Sequence, residues 1–281
     1  MKQSIRKSSV AGSFYPGDAD ELSGMVDGYL NRSKLIISEK PFAIVSPHAG
    51  YVFSGQIAAD AFKQAAGHSY ETIIVLGANH TVSGFRGVSI YPGSFETPLG
   101  VTEFCEDTAK KLVDFDIDIV FDEDVHTREH SVEVQIPFIQ KVFPGAKVVC
   151  AIVGTSNLNL CETFGSALSS ISLEKNILIV ASSDLSHFPN YEDANDVDMK
   201  TLVSIATVDI GEFVRTLHEN EAKNINGLST SACGEAPVLS TMVASKESGA
   251  KNGNVISYAN SGDTEVGDKD RVVGYGAVVF M

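Results

Sequence analysis

The stretch "FAIVSPHAGYVFSGQIAADAFKQAAGHSYETIIVLG", residues 42–77, decides the fold. It begins with the β-rich run "FAIVS" (42–46) and ends with "TIIVLG" (72–77). Between them Ile57, Ala58, Ala61, Phe62 and Ala65 recur at helical spacing, giving a strand–helix–strand unit. Outward from this unit the grammar repeats in "DIDIVF" (116–121), "KVVCAIV" (147–153) and "NILIVAS" (176–182). Strands apolar throughout, without polar alternation, suit a sheet covered on both faces. The expectation is an α/β chain forming one domain over residues 1–281, a three-layer α/β/α sandwich around a mostly parallel or mixed sheet.

Other elements follow from local signals. Asp18 and Glu21 stand at capping-box spacing and predict a helix opening there, and residues 191–246 read as mostly helical. "NVISYANS" and "RVVGYGAVVF" read as strands joined by the polar loop "GDTEVGDKD". No linker, repeat or low-complexity tract interrupts the pattern.

Composition narrows the function classes. The 281 residues are 43% hydrophobic and 20% charged, as in an ordinary globular protein. A formal charge of −15 opposes binding to nucleic-acid phosphates or anionic membranes. The N-terminal stretch lacks a signal-like apolar segment, and no run approaches the ~20 residues needed to cross a bilayer. A cytoplasmic location is expected. Cys105, Cys150, Cys161 and Cys233 are widely spaced, form no C-x-x-C pair and are read as reduced thiols.

In open α/β sheets ligands bind beyond the carboxyl ends of strands. Three such ends carry imidazole: His48 after "FAIVS", His80 after "TIIVLG", and "SDLSH", with Asp184 and His187, after "NILIVAS". A single loop histidine is ordinarily a solvated or hydrogen-bonded residue; three in equivalent places point to chemistry. Two neutral imidazoles plus one anionic ligand suit a divalent metal with open positions. Cys233, in "STSACGEAPV", is the best-placed thiol, because Ser229 or Ser231 could cap a helix whose N-terminus would lower the thiol pKa. Cys105, Cys150 and Cys161 fit better as small apolar residues. Asp184 and His187 are separated by two residues, so one turn would bring the carboxylate to the imidazole and prepare His187 for acid–base work. Gly50 and Gly77, near two of the histidines, would permit close backbone approach or serve as turn residues.

A competing motif is "HTREH" (126–130), which matches H-x-x-E-H and would make His126, Glu129 and His130 a zinc hydrolase site if they lay on one helix. The segment after it, "SVEVQIPF", admits either strand or helix. A third reading is a non-catalytic peptide or small-molecule binding module with Tyr51 and Phe53 as aromatic walls, their ordinary role being core. Walker A, G-x-S-x-G, G-x-G-x-x-G and H-E-x-x-H patterns are absent, which leaves nucleotide cofactors unsupported.

The blocks "AGSFYPGDADEL", "SPHAGYVFSGQIAADAF", "VLGANH", "EHSVEVQIPF", "ASSDLSHF", "ACGEAPV", "YANSGD" and "RVVGYGA" together resemble the Memo family, including the protein B-like members of AmmeMemoRadiSam systems. The resemblance implies a fold like that of class III extradiol dioxygenases and a mononuclear site for non-haem Fe(II), with Cu or Zn as alternatives. It implies His48, His80 and Cys233 as metal ligands, with Asp184 and His187 lining the same pocket. Cys233 departs from the two-histidine, one-carboxylate triad of the dioxygenases, so activity does not follow from fold likeness. The resemblance also implies a pathway link to a radical SAM protein and names no substrate. The phosphopeptide binding described for animal relatives suits this acidic chain poorly.

Overall fold

The computed structural model describes residues 4–174 and 176–281. In chain order the elements are β1 (Ser4–Arg6), α1 (Ala19–Arg32), β2 (Ala43–Ser46), α2 (Tyr51–Ala65), β3 (Thr72–Ala78), β4 (Val88–Ile90) and β5 (Gly93–Thr97). Next come β6 (Gly100–Thr102), α3 (Glu106–Val113), β7 (Ile119–Phe121), α4 (Ile136–Val142), β8 (Lys147–Val153), α5 (Leu158–Glu174) and β9 (Ile177–Ser182). The remainder is α6 (Tyr191–Ala206), α7 (Ile210–Ala222), α8 (Glu235–Glu247), β10 (Gly253–Asn260) and β11 (Gly274–Phe280).

The main sheet has the strand order β10-β11-β2-β9-β3-β8-β4-β7. Its middle strands β2, β9, β3 and β8 are parallel, while β11 and β4 join them antiparallel, so the sheet is mixed. Strand side chains alternate between two apolar layers. Ile44, Ile73, Val75, Val148 and Val180 face the layer of α1, α2 and α4. Ala43, Ile74, Leu76, Val149 and Ile179 face α5 and α8, with α3, α6 and α7 in the same layer. That two-sided burial is why the strands read as continuous apolar runs, and it produces the expected three-layer sandwich. No helix among the described residues is long and apolar enough to cross a membrane.

The strands expected at 42–46, 72–77, 147–153 and 176–182 are present at Ala43–Ser46, Thr72–Ala78, Lys147–Val153 and Ile177–Ser182, whereas "DIDIVF" contributes only Ile119–Phe121. Asp18 caps α1, accepting from the backbone N–H groups of Asp20 and Glu21. The ambiguous "SVEVQIPF" is helical: a 3₁₀ turn at Glu133–Gln135 runs into α4. A small sheet of order β1-β5-β6 had no clear sequence signal, its strands being three to five residues long.

Candidate metal centre

Because β2, β9, β3 and β8 are parallel, their carboxyl ends share one edge of the sheet, and His48, His80 and Asp184 follow three of them. Gly77 in β3 is there for close approach: a Cβ at that position would lie 2.4 Å from Ser131 Oγ and 2.7 Å from Val132 Cγ1. The 129–133 segment therefore rests against the end of β3. Gly50 has no such constraint; it is the N-cap of α2.

His48 is fully buried, and counting protons fixes its tautomer. Ser182 Oγ donates to Ser131 O at 2.6 Å and accepts from Gln135 Nε2 at 2.9 Å. The amide orientation of Gln135 is set by its second bond, to the acceptor-only Pro47 O at 2.8 Å. With its one proton committed, Ser182 Oγ must accept the contact of 3.0 Å from His48 Nδ1–H. His48 thus presents a bare Nε2. Burial, and then the neighbouring His80 and His130 charges, hold its pKa well below the ordinary value.

His80 is oriented by Glu129. The buried carboxylate accepts from His80 Nδ1 at 3.0 Å and from the His80 backbone N–H at 2.7 Å. It also accepts from the N–H groups of His130 and Ser131, each at 2.9 Å. Burial would raise the Glu129 pKa, but His80 and these donors bring it down to about 2. Burial likewise opposes charge on His80, and Glu129 outweighs it, raising the His80 pKa. His80 Nε2 is left as the lone-pair atom.

His130 completes the imidazole group, with its ring stacked on His80 at a centroid distance of 4.9 Å and edge-on to His48 at 5.4 Å. On the other side of His48, Cys233 Sγ lies 3.1 Å from Nε2. Two sets of donors share His48, and within each the ligand atoms lie within 4.8 Å of one another: His48, His80 and His130, and His48, Asp184 and Cys233. The expected trio of His48, His80 and Cys233 is neither of these sets: it takes His80 from one and Cys233 from the other, with His48 common to both.

Three local expectations are corrected. Ser229 and Ser231 do not cap α8; Gly234 is its N-cap, without a side-chain bond, and Cys233 precedes it. Gly234 packs on β9, where a Cβ would lie 2.5 Å from Ser182 O. Burial and the Asp184 charge push the Cys233 thiol up, overriding any lowering by the helix terminus. Asp184 does not bond His187; its Oδ1 accepts from the backbone N–H of His48 at 2.7 Å and of Ala49 at 3.3 Å, holding the His48 loop. Burial raises the Asp184 pKa, with His187 and those donors opposing. The residues after β9 run extended, so His187 pairs by backbone with Thr230, and its Nδ1–H donates to Leu185 O at 3.0 Å. Its Nε2 consequently carries the ring's lone pair.

The H-x-x-E-H geometry also fails. Residues 127–130 are not helical, and His126 is turned away, its Nε2 3.1 Å from Ser89 O and its ring against Tyr91. Tyr51 is a core residue whose hydroxyl donates to Val134 O, while Phe53 is half-buried beside Gly50.

Sequence reasoning left the roles of Glu129, His130 and Glu133 open. Glu133 is a buried anchor for the N-terminal segment, accepting from Arg6 Nη1 at 2.6 Å, Ser9 N and Oγ, Val10 N and Tyr15 OH. Arg6 reaches on to His126 O and Glu129 O at 2.7 and 2.6 Å, clamping the segment that positions His80. The available signal was the density of ionisable residues in "HTREHSVE" between apolar runs.

The family model described as Memo-like protein matches residues 6–279. A MEMO1 family protein of Nitrosopumilus maritimus is 35% identical, covering 99% of this chain and 100% of that protein. One from Aquifex aeolicus is 33% identical and covers 99% of each. A solved structure of an uncharacterized Escherichia coli K12 protein is 14% identical, covers 74% of this chain and 86% of that one, and has a TM-score of 0.47.

Proposed function

We propose that this chain, which belongs to the Memo-like family, holds one redox-capable divalent ion through His48, His80 and Cys233 and acts there on a small-molecule substrate as an oxidoreductase. One observation carries the reading: two imidazoles beyond the carboxyl ends of β2 and β3, with β9 between those strands, are each forced by a hydrogen bond at Nδ1 to present Nε2, with a thiol 3.1 Å from one of them. A second partner fixing each ligand imidazole is what a metal site requires. Two imidazoles and a thiolate suit Fe(II), the ion the family resemblance puts first, and Cu as a redox-capable alternative; Zn also fits these donors but would supply no electron transfer.

When bound, such an ion supplies one-electron redox capacity and open coordination positions. The chain's own residues do the rest. Glu129 and Ser182 aim the imidazoles, Asp184 fixes the backbone of the His48 loop, and burial keeps bulk water from His48. Cys233, a thiol in the free protein because burial raises its pKa, gives up its proton on ligation. His187 Nε2 takes or returns a substrate proton.

Metal analysis of anaerobically purified protein tests this. Wild type should hold close to one equivalent and His48→Ala almost none; less than roughly a tenth of an equivalent in wild type, unchanged by the substitution, rejects the site. A second reading, with His130 in place of Cys233, is favoured by the close grouping of three imidazoles. Cobalt loading separates the two: loss of a thiolate-to-cobalt absorption band in Cys233→Ala supports the sulfur ligand, and its absence in wild type supports His130.

A further inference from the structure

Two polar hollows of about 340 and 350 Å³ open along the carboxyl ends of β3 and β8. Both are lined by Asn79 and Gly154, so they are lobes of one groove; one lobe reaches Cys233 and the other His80. Gly154 keeps the middle clear, since a Cβ there would lie 2.5 Å from Phe85 Cδ1, and the Phe85 ring forms a wall instead.

The lobes carry opposite charges. Arg86 lines the His80 lobe and Glu235 the Cys233 lobe, and neither has an ion-pair partner among the described residues. An unpaired arginine on a surface is ordinary; one lining the same polar hollow as His80, in a chain of net charge −15, offers an anion a local positive charge. Guanidinium offers a planar fork matched to carboxylate. Glu235 is half-buried in the other lobe, where its carboxyl group faces any second anion that enters.

We propose that this groove selects a small monoanionic substrate, its carboxylate held by Arg86 in the His80 lobe and its reacting part lying over the ion, with Glu235 turning away a second negative group. The substrate class rests on the metal-site reading, and the test keeps the two apart. Cobalt-loaded protein, its metal content measured on the same samples, is titrated with catechol and with 3,4-dihydroxybenzoate, which share the chelating diol and differ only in the carboxylate. Wild type should bind the carboxylate about tenfold more tightly, as one charge-assisted pair allows; Arg86→Ala should erase that ratio and Arg86→Lys restore part of it. Equal binding of the two probes by wild type, or a ratio unchanged in Arg86→Ala, overturns the proposal. Calorimetry of metal-free protein with benzoate reads the anion site alone: Arg86-dependent binding supports it even if the metal reading fails, and binding indifferent to Arg86→Ala counts against it. Arg86 is exposed, so the variants should fold.

Discussion

Glu129→Gln tests the centre most directly, because it alters one atom of a carboxylate that accepts four hydrogen bonds. In the native protein Oε1 takes His80 Nδ1–H and the N–H groups of His130 and Ser131, and Oε2 takes the His80 backbone N–H at 2.7 Å. An amide oxygen at the Oε1 position keeps the first three, but the amide nitrogen then faces the His80 N–H, donor against donor. The His80 loop must shift. Loss of one buried acceptor costs about 1–3 kcal/mol of stability. Disturbing a ligand's supporting carboxylate typically weakens metal binding 10–100-fold, about 1.4–2.8 kcal/mol. Chelator competition on anaerobic protein measures the second quantity, and urea unfolding the first. There is a pH signature as well. The Glu129 carboxyl is held at about 2 against an ordinary 4.5, so its contribution is present above 4.5 and lost as pH falls towards 2. Wild type should lose stability across that window more steeply than the variant. Metal affinity within twofold of wild type would refute the claim that Glu129 aims His80.

Arg6→Met leaves Glu133 buried without its cation and should cost about 3–5 kcal/mol in denaturant unfolding, with partial metal loss because the same arginine clamps Glu129 O. Gly77→Ala forces a Cβ against Ser131 and should cost about 1–3 kcal/mol; a neutral result would mean that the segment moves freely over β3. His126→Ala should leave metal content unchanged, and loss of metal would revive the H-x-x-E-H reading. Burial raises the Asp198 pKa to about 7 despite donors from Ser186 and Tyr258, so its contribution is full below 3.8 and lost as pH rises through about 7; Asp198→Asn should flatten stability over that interval.

Much of this was legible in the chain. The strands that carry His48, His80 and Asp184 are buried on both faces, so their apolar runs announced them, and parallel order then put their carboxyl ends together. Composition could not show which atoms meet. Asp184 lies close to His187 in sequence, yet its carboxylate serves the His48 backbone, because the chain after β9 runs extended rather than turning. The N-cap of α8 falls at Gly234, since the loop must pack within touching distance of β9, where no serine fits. His130 and Glu129 were singled out only within the H-x-x-E-H pattern, because their place beside His80 depends on a segment folded over Gly77, a contact between residues about fifty positions apart.

The strand order has a consequence for how the protein is made. β2, near the start of the chain, is flanked by β9 and by β11, so its neighbours leave the ribosome some 130 and 230 residues later. Its long-range pairing makes for slow assembly, and Cys233 also arrives late. A nascent chain that already displays His48 and His80 therefore has no sulfur to complete the set and no partner for one edge of β2. Metal loading should be a post-synthetic event, and chains stalled before residue 233 should emerge without it.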